Sequence, residues 1–343
     1  MTPQAIHIVS TGTAVPGTPV DNAALARRFG MSDQWEEWIQ VFIGTDTRHL
    51  SVDLDTGERR NSLADLGELA ARRALDSAGL AAQDIDLLVM GTATPDQLLP
   101  TTASVVADRL GIDGVPVFQL QSGCTGAFQA LTVAHQLLTT GAYGRALVIG
   151  GELNEKYFDL GQDFAAMRPE QLINYVLFGD GAGALVLSTE PAEAQATVRL
   201  SSARLTGLGR AAGQILEWFG PADRFSDRTP AVEDYKAIEA SVPGMSREIL
   251  EQLLAELGWA REDVDYILPP QLSGRMTRRV VEALDLLGAK EISCVAQTGN
   301  TGNATPFFQL ERALELMSPG DKALGISVES SKWIRAGFAI ERV

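Results

Sequence analysis

Short apolar runs alternate along the chain with longer segments whose apolar side chains recur every three or four positions. This two-period pattern predicts alternating strands and helices. Residues 5–10 (AIHIVS), 84–92 (DIDLLVMGT), 115–120 (VPVFQL), 145–151 (RALVIGG) and 183–189 (GALVLST) have the length and apolar content of buried strands. Residues 63–79, 102–111 and 126–140 carry the helical spacing. Continuous apolar strands separated by helices predict an α/β architecture in which helices cover the sheet. The stretches 161–171 and 217–234 break the pattern, mixing Pro, Gly, Asp and aromatic residues, and read either as pocket walls or lids or as surface excursions.

One unit of the pattern occurs twice. LDSAGLAAQDIDLLVMG (75–91) is matched by LAELGWAREDVDYILPP (254–270): a helix end, a Gly turn, an acidic step and an apolar strand. Two copies far apart predict a duplicated α/β domain rather than a solenoid. The seam falls near residues 190–193, giving an N-terminal half of residues 1–190 and a C-terminal half of residues 191–343.

Composition narrows the function. With 28 Lys and Arg against 44 Asp and Glu, the formal net charge is −16, which repels nucleic acid and anionic membranes and argues against both as partners. Two cysteines, Cys124 and Cys294, make no disulfide framework, and no cluster of the Cys/His type suggests a metal. The N-terminus lacks the pattern of a signal peptide and no apolar stretch is long enough to span a bilayer, so a reduced, cytoplasmic protein is expected.

Cys124 is the residue most suggestive of chemistry. It lies in Gly123-Cys124-Thr125-Gly126, between a predicted strand and a predicted helix. The glycines permit a sharp turn, and a thiol at a helix N-terminus is expected to have a lowered pKa and backbone N–H groups at hand for an oxyanion. A small buried cysteine is the plain alternative. Cys294, in EISCVAQ, reads as core inside an apolar strand. His7, His49 and His135 read as structural.

Several segments together resemble the ketoacyl-acyl-carrier-protein synthase III family of the thiolase superfamily: residues 91–112, SGCTGAFQAL (122–131), LFGDGAGALVL (177–187) and TGNTGNATP (298–306). The resemblance covers nearly the whole chain. It implies a five-layered αβαβα fold, a homodimer, and ping-pong transfer of an acyl group from a thioester, with no cofactor beyond that substrate. It implies that Cys124 is the nucleophile, Asn300 the catalytic Asn, and Leu99 the residue that enters the partner's acyl pocket. Phe178 to Gly183 looks structural.

The sequence departs from the family in three places. Pro270 stands where the catalytic His is expected, in Pro269-Pro270-Gln271-Leu272-Ser273. The Gly-rich turn that supplies the second oxyanion N–H falls on Ser330-Ser331-Lys332, with Ser331 as the favoured donor. Trp38 matches an adenine-stacking Trp, but Phe42 replaces an Arg of the nucleotide clamp. Arg275, Arg278 and Arg279 share one helix face at i, i+3 and i+4 and suit an acidic carrier protein; a solvated face is the plain alternative. Loss of the His removes half the stabilisation of a malonyl-derived enolate, on the order of 2.7–4 kcal/mol for one donor. The expected function is therefore acyl transfer from a carrier-protein or CoA thioester through Cys124 to an amine or hydroxyl of a small-molecule acceptor, in secondary metabolism. The alternatives are a decarboxylative 3-oxoacyl synthase and a non-catalytic partner subunit. A base reaching the volume beside Pro270, such as Glu329 or a repositioned His, would change the mechanism.

Overall fold

The computed structural model describes residues 4–167, 169–217 and 231–343. Ten strands form one hydrogen-bonded ladder: β1 Ile6–Ala14, β2 Leu87–Thr92, β3 Val117–Gln121, β4 Arg145–Glu152, β5 Gly181–Ser188, β6 Ala196–Leu205, β7 Tyr266–Leu268, β8 Lys290–Glu291, β9 Lys322–Glu329 and β10 Ile334–Arg342. Their spatial order is β8-β7-β9-β10-β6-β1-β5-β4-β2-β3. Read outward from the middle, the first half runs 1-5-4-2-3 and the second 6-10-9-7-8, the same path five strands later. Directions agree as well. β1/β5 and β5/β4 are antiparallel while β4/β2 and β2/β3 are parallel, and each pair has its counterpart in the second half. The halves meet where β1 pairs antiparallel with β6 at Ile6↔Val198.

The helices repeat in the same way: α1 Leu63–Ala78, α2 Thr102–Leu110 and α3 Gly126–Thr139, then α4 Tyr235–Leu257, α5 Gly274–Leu284 and α6 Thr305–Leu316. Strand alternation divides the buried side chains among three cores. Leu87, Val89, Ala146 and Val148 face α3 and α6, whose Phe128, Leu131, Phe307 and Leu310 fill a central layer that also receives Phe338 and Ile340 of β10. Leu88, Met90, Leu147 and Ile149 face the opposite way, against α1 and α2. Leu324, Ile326 and Val328 pack against α4 and α5. Two helical layers outside, two sheet halves and one helical layer between them make five layers.

The sequence repeat has a physical basis. α1 and α4 both end on a glycine in the left-handed region, Gly79 at φ 66° and Gly258 at φ 67°. In the acidic step that follows, the Asp84 carboxylate accepts the Ala81 N–H and the Asp263 carboxylate accepts the Ala260 N–H, both at 2.8 Å. Asp86 and Asp265 then fasten the next strand of each half, accepting from Arg145 N (3.0 Å) and Lys322 N (2.8 Å).

Some expectations change. Cys294 lies outside any strand, just before the short helix Val295–Thr298, because β8 is only two residues long. The strand expected over 5–10 continues to Ala14. The stretch 161–171 is partly built into the molecule: Phe164 is buried and stacks on Phe29 with ring centroids 3.9 Å apart, inside an apolar cluster with Tyr175 and Ile39. Of the second irregular stretch, residues 218–230 lie outside the described residues. The remainder forms a small strand, Ala231–Glu233, paired with Gln214–Leu216.

Candidate active site

β3 ends at Gln121 and α3 starts at Gly126, so Cys124 sits in the turn between them. The turn is held from several sides. Gly126 N donates to Gly123 O (2.8 Å), Ser327 Oγ of β9 donates to Cys124 O (2.7 Å), and Gln129 Nε2 reaches back to Ser122 Oγ (2.8 Å). Gly126 has no room for a side chain, since a Cβ there would run into the Asn303 amide. That amide caps α3, its Oδ1 accepting Ala127 N (2.7 Å), while its Nδ2 donates to Ser122 O (3.2 Å) and to the Glu152 carboxylate.

Cys124 faces a cavity also lined by Phe128, Pro269, Pro270, Asn300 and Ser327. Asn300 comes from the other half of the molecule. Its backbone bridges to Phe178, with Asn300 N donating to Leu177 O (2.8 Å) and Gly179 N donating to Asn300 O (3.1 Å). Its Oδ1 accepts Gly302 N (3.0 Å), and its Nδ2 has no protein acceptor among the described residues. An amide held by its oxygen at the wall of a cavity offers its NH2 to whatever enters. The Pro270 segment is a rigid wall: Gln309 Nε2 donates to Pro269 O (3.0 Å), Thr277 Oγ1 donates to Pro270 O (3.1 Å), and the Gln271 Oε1 collects Ser293 Oγ, Cys294 N and Val295 N. Among the described residues no histidine lines the cavity. His7 is hydrogen-bonded to Thr197 Oγ1 (3.0 Å), His49 to Pro16 O (3.0 Å), and His135 is half-buried along α3.

The thiol differs from expectation. Its pKa is pushed well above the usual thiol range, first by burial, then by the negative charges of Glu329 and Glu152, and by the thiol's hydrogen bond to Glu329. The helix N-terminus does not offset this, and three N–H groups of the turn are engaged elsewhere, that of Gly126 with Gly123 O. Cys124 N–H donates to the Glu329 carboxylate and Ala127 N–H to Asn303. Ser331 N–H, the other expected oxyanion donor, also donates to Glu329, at 2.7 Å. One carboxylate, at the end of β9 and 1% exposed, thus holds both donors. Below the turn Glu152, pushed up to about 7 by burial, accepts Ala93 N (2.8 Å) and Thr94 Oγ1 (2.5 Å).

The other predicted residues lie away from this centre. Lys332 turns its Nζ to Arg210 O (2.8 Å), and the Arg210 guanidinium lies 3.9 Å from the ring centre of the buried Trp333, which fixes the β9–β10 turn. Arg275, Arg278 and Arg279 are exposed on α5, whose Met276, Thr277 and Val280 face inward; Arg279 is 3.6 Å from Glu239. Trp38 is half-buried and lies 6.2 Å from the half-exposed Phe42, between ring centres. The backbone of Gly44, just beyond, packs on Gly274 beside Arg275. Leu99 is 82% exposed on the loop before α2 and does not line the cavity of its own chain. Sequence reasoning singled out neither Glu152 nor Asn303. Their signal was faint, a second Asn three residues after Asn300 and an acidic residue closing an apolar strand.

Comparison with known proteins gives the same outline. The family model for 3-oxoacyl-[acyl-carrier-protein] synthase III matches residues 118–205, that for the C-terminal part of this enzyme matches 254–330, and the thiolase N-terminal domain model matches 43–159. Beta-ketoacyl-[acyl-carrier-protein] synthase III 3 of Streptomyces coelicolor is 32% identical over 330 residues, covering 94% of this chain and 92% of the relative. Among solved structures, AbyA1, described as a tetronic acid condensing enzyme, superposes with a TM-score of 0.95 at 57% identity, covering 98% of this chain and 99% of its own. 3-Oxoacyl-(acyl carrier protein) synthase III of Pseudomonas aeruginosa PAO1 gives 0.83 at 26% identity, covering 98% of each chain.

Proposed function

Since the chain belongs to the 3-oxoacyl-[acyl-carrier-protein] synthase III family, a family of acyl-transferring, condensing enzymes, we propose that it transfers an acyl group from Cys124 to a hydroxyl and thereby builds a tetronic acid, in secondary metabolism. The observation that carries this reading is the composition of the cavity. It has a cysteine and an asparagine, with a proline wall and no histidine. Decarboxylative condensation needs stabilisation of an enolate as CO2 leaves, and among the described residues the Asn300 amide is the donor left without a protein acceptor, whereas Gln271, Gln309 and Ser327 donate to backbone carbonyls. A β-ketoacyl thioester makes a lesser demand, because the carbanion at its C2 is shared by two carbonyls of the substrate itself.

The chemistry balances with two thioesters. The β-ketoacyl group loads onto Cys124, displacing its carrier thiol. The hydroxyl of an α-hydroxyacyl thioester attacks that carbonyl, forming C–O and freeing Cys124. The C2 methylene then attacks the α-hydroxyacyl carbonyl, forming C–C and expelling the second thiol, which closes a five-membered 3-acyl tetronic acid ring. Asn300 Nδ2 polarises the carbonyl under attack. The likeness to AbyA1 supports the product class. The exposed Arg275, Arg278 and Arg279 support an acidic carrier protein as donor, and Phe42 in place of a clamp Arg favours such a carrier over free CoA. Exposure of Leu98, Leu99 and Phe118 supports a homodimer, and two free cysteines suit a reducing cytoplasm.

The test supplies β-ketoacyl and α-hydroxyacyl thioesters of N-acetylcysteamine. Intact mass should show one β-ketoacyl group on the wild-type chain and none on Cys124→Ala. The small-molecule product should weigh the two substrates less two thiols. Absence of the acyl adduct, or condensation with a malonyl thioester coupled to CO2 release, would sink the reading.

A further inference from the structure

The cavity holds no histidine to take the proton of Cys124, yet a carboxylate is in contact with that residue. We propose that Glu329 is the general base of the acyl transfer, passing the Cys124 thiol proton to the donor's departing thiolate as the sulfur attacks and later passing the acceptor's hydroxyl proton to the sulfur as it leaves. The inference rests on the acyl-Cys124 reading above and supplies the proton acceptor that reading lacks.

Three observations carry it. The Glu329 carboxylate accepts the Cys124 N–H on one side and the Ser331 N–H, at 2.7 Å, on the other, which seats it directly against the cysteine. It is 1% exposed, and among the described residues no Lys, Arg or His pairs with it, so no cation holds it in the ionised form when a proton is offered. The turn is also shaped around it, since a Cβ on Gly123 would strike the carboxylate. Lys332, three residues on, is tied to Arg210 O instead.

Proton transfer from Sγ to Glu329 leaves the charge of the pair unchanged, whereas loss of the proton to solvent would leave two negative charges together. Base catalysis within the pair is therefore the accessible route. As C–Sγ forms, the proton passes to Glu329; as the donor's C–S bond breaks, the departing thiolate collects it. In the second half the acceptor O–H gives its proton to Glu329, C–O forms, C–Sγ breaks, and the proton returns to Sγ. Protonation has a further consequence. A neutral carboxyl grips backbone N–H groups less strongly than a carboxylate, so the Cys124 and Ser331 N–H groups become available for the substrate oxyanion at the moment it forms.

The test uses Glu329→Gln in the full chain, with a β-ketoacyl N-acetylcysteamine thioester as the donor and iodoacetamide as the reporter of the thiol. Single-turnover acylation of Cys124 should slow by about 10²–10⁴-fold, the usual share of a general base. Alkylation should move the other way. Glu329 from β9 and Glu152 from β4 are the charged groups facing the sulfur, so removing one charge should shift the alkylation midpoint to lower pH. Opposite changes in one variant are not the mark of a damaged fold. Glu329→Ala with added formate should recover part of the acylation rate. Acylation of Glu329→Gln within about threefold of wild type, or faster, would show that the carboxylate only plugs the site and would overturn the proposal, as would an unmoved alkylation midpoint. Wild-type protein that takes no acyl group would instead overturn the acyl-enzyme reading on which the proposal rests.

Discussion

At the scale of single residues, the site is defined by which hydrogen-bonding groups are already spent. Cys124 has the flanking glycines and the helix start of an activated nucleophile, but its N–H points at a carboxylate and the next free helix N–H is capped by Asn303. A helix N-terminus lowers a thiol pKa through unsatisfied donors, and here those of Cys124, Gly126 and Ala127 are engaged. Asn300 is the opposite case, with its oxygen engaged and its NH2 free toward the cavity. Asn300→Ala should therefore lower kcat by about 10²–10³, while the rate and pH profile of Cys124 alkylation stay near wild type; equal loss in both assays would indicate a disturbed turn. Cys124 and Asn300, singled out from their Gly-bearing segments, do line one cavity. The grip of Glu329 on Cys124 was not, because the two lie 205 positions apart and meet only when β9 lines up behind the turn.

At the scale of elements, the duplicated unit shows what a sequence pattern can and cannot carry. The Gly cap, the acidic step and the apolar strand are local devices, and each was readable because every residue acts on neighbours within a few positions. The setting of α3 is not local. Its start is tied to the other half by Asn303, which caps Ala127 N and also donates to Glu152. Asn303→Ala removes a cap worth about 1 kcal/mol and leaves a buried carboxylate short of a donor, at about 1–3 kcal/mol more. Urea unfolding should show a loss of roughly 2–4 kcal/mol; a loss below about 1 kcal/mol would mean that Asn303 is not a tie between the halves. Cys294 marks the limit of element reading. An apolar run promised a strand, but β8 stops after two residues and Gln271 holds the following backbone in a turn.

At the scale of the whole molecule, five layers bury four acids among the described residues, Glu152, Glu155, Asp180 and Glu329. Glu152 and Asp180 are both pushed up to about 7 by burial. Asp180, in the Gly-rich segment read as structural, accepts Ser51 N (2.6 Å) and Glu155 N (3.2 Å) and ties two loops together. For an acid with a raised folded-state pKa, the folded protein holds the proton where the unfolded chain has lost it. Its contribution is therefore complete below the unfolded pKa and is lost as pH rises toward the folded value near 7. Stability should thus fall between about pH 4 and pH 7. Glu152→Gln, which keeps the shape without the titration, should reduce that fall by on the order of 2–3 kcal/mol, read from urea midpoints at the two pH values. An identical fall in both proteins would place the ionisation elsewhere.

The chain by itself determined the alternation of strand and helix, the duplication, and the turn that carries Cys124, because hydrophobic period, glycine placement and capping act over a few residues. It also put Pro270 where the family resemblance led us to expect a histidine. Only the tertiary structure decided what stands in contact with the sulfur. Burial depth and the meeting of distant strands set the charge around Cys124, and these depend on how the two halves close upon α3 and α6.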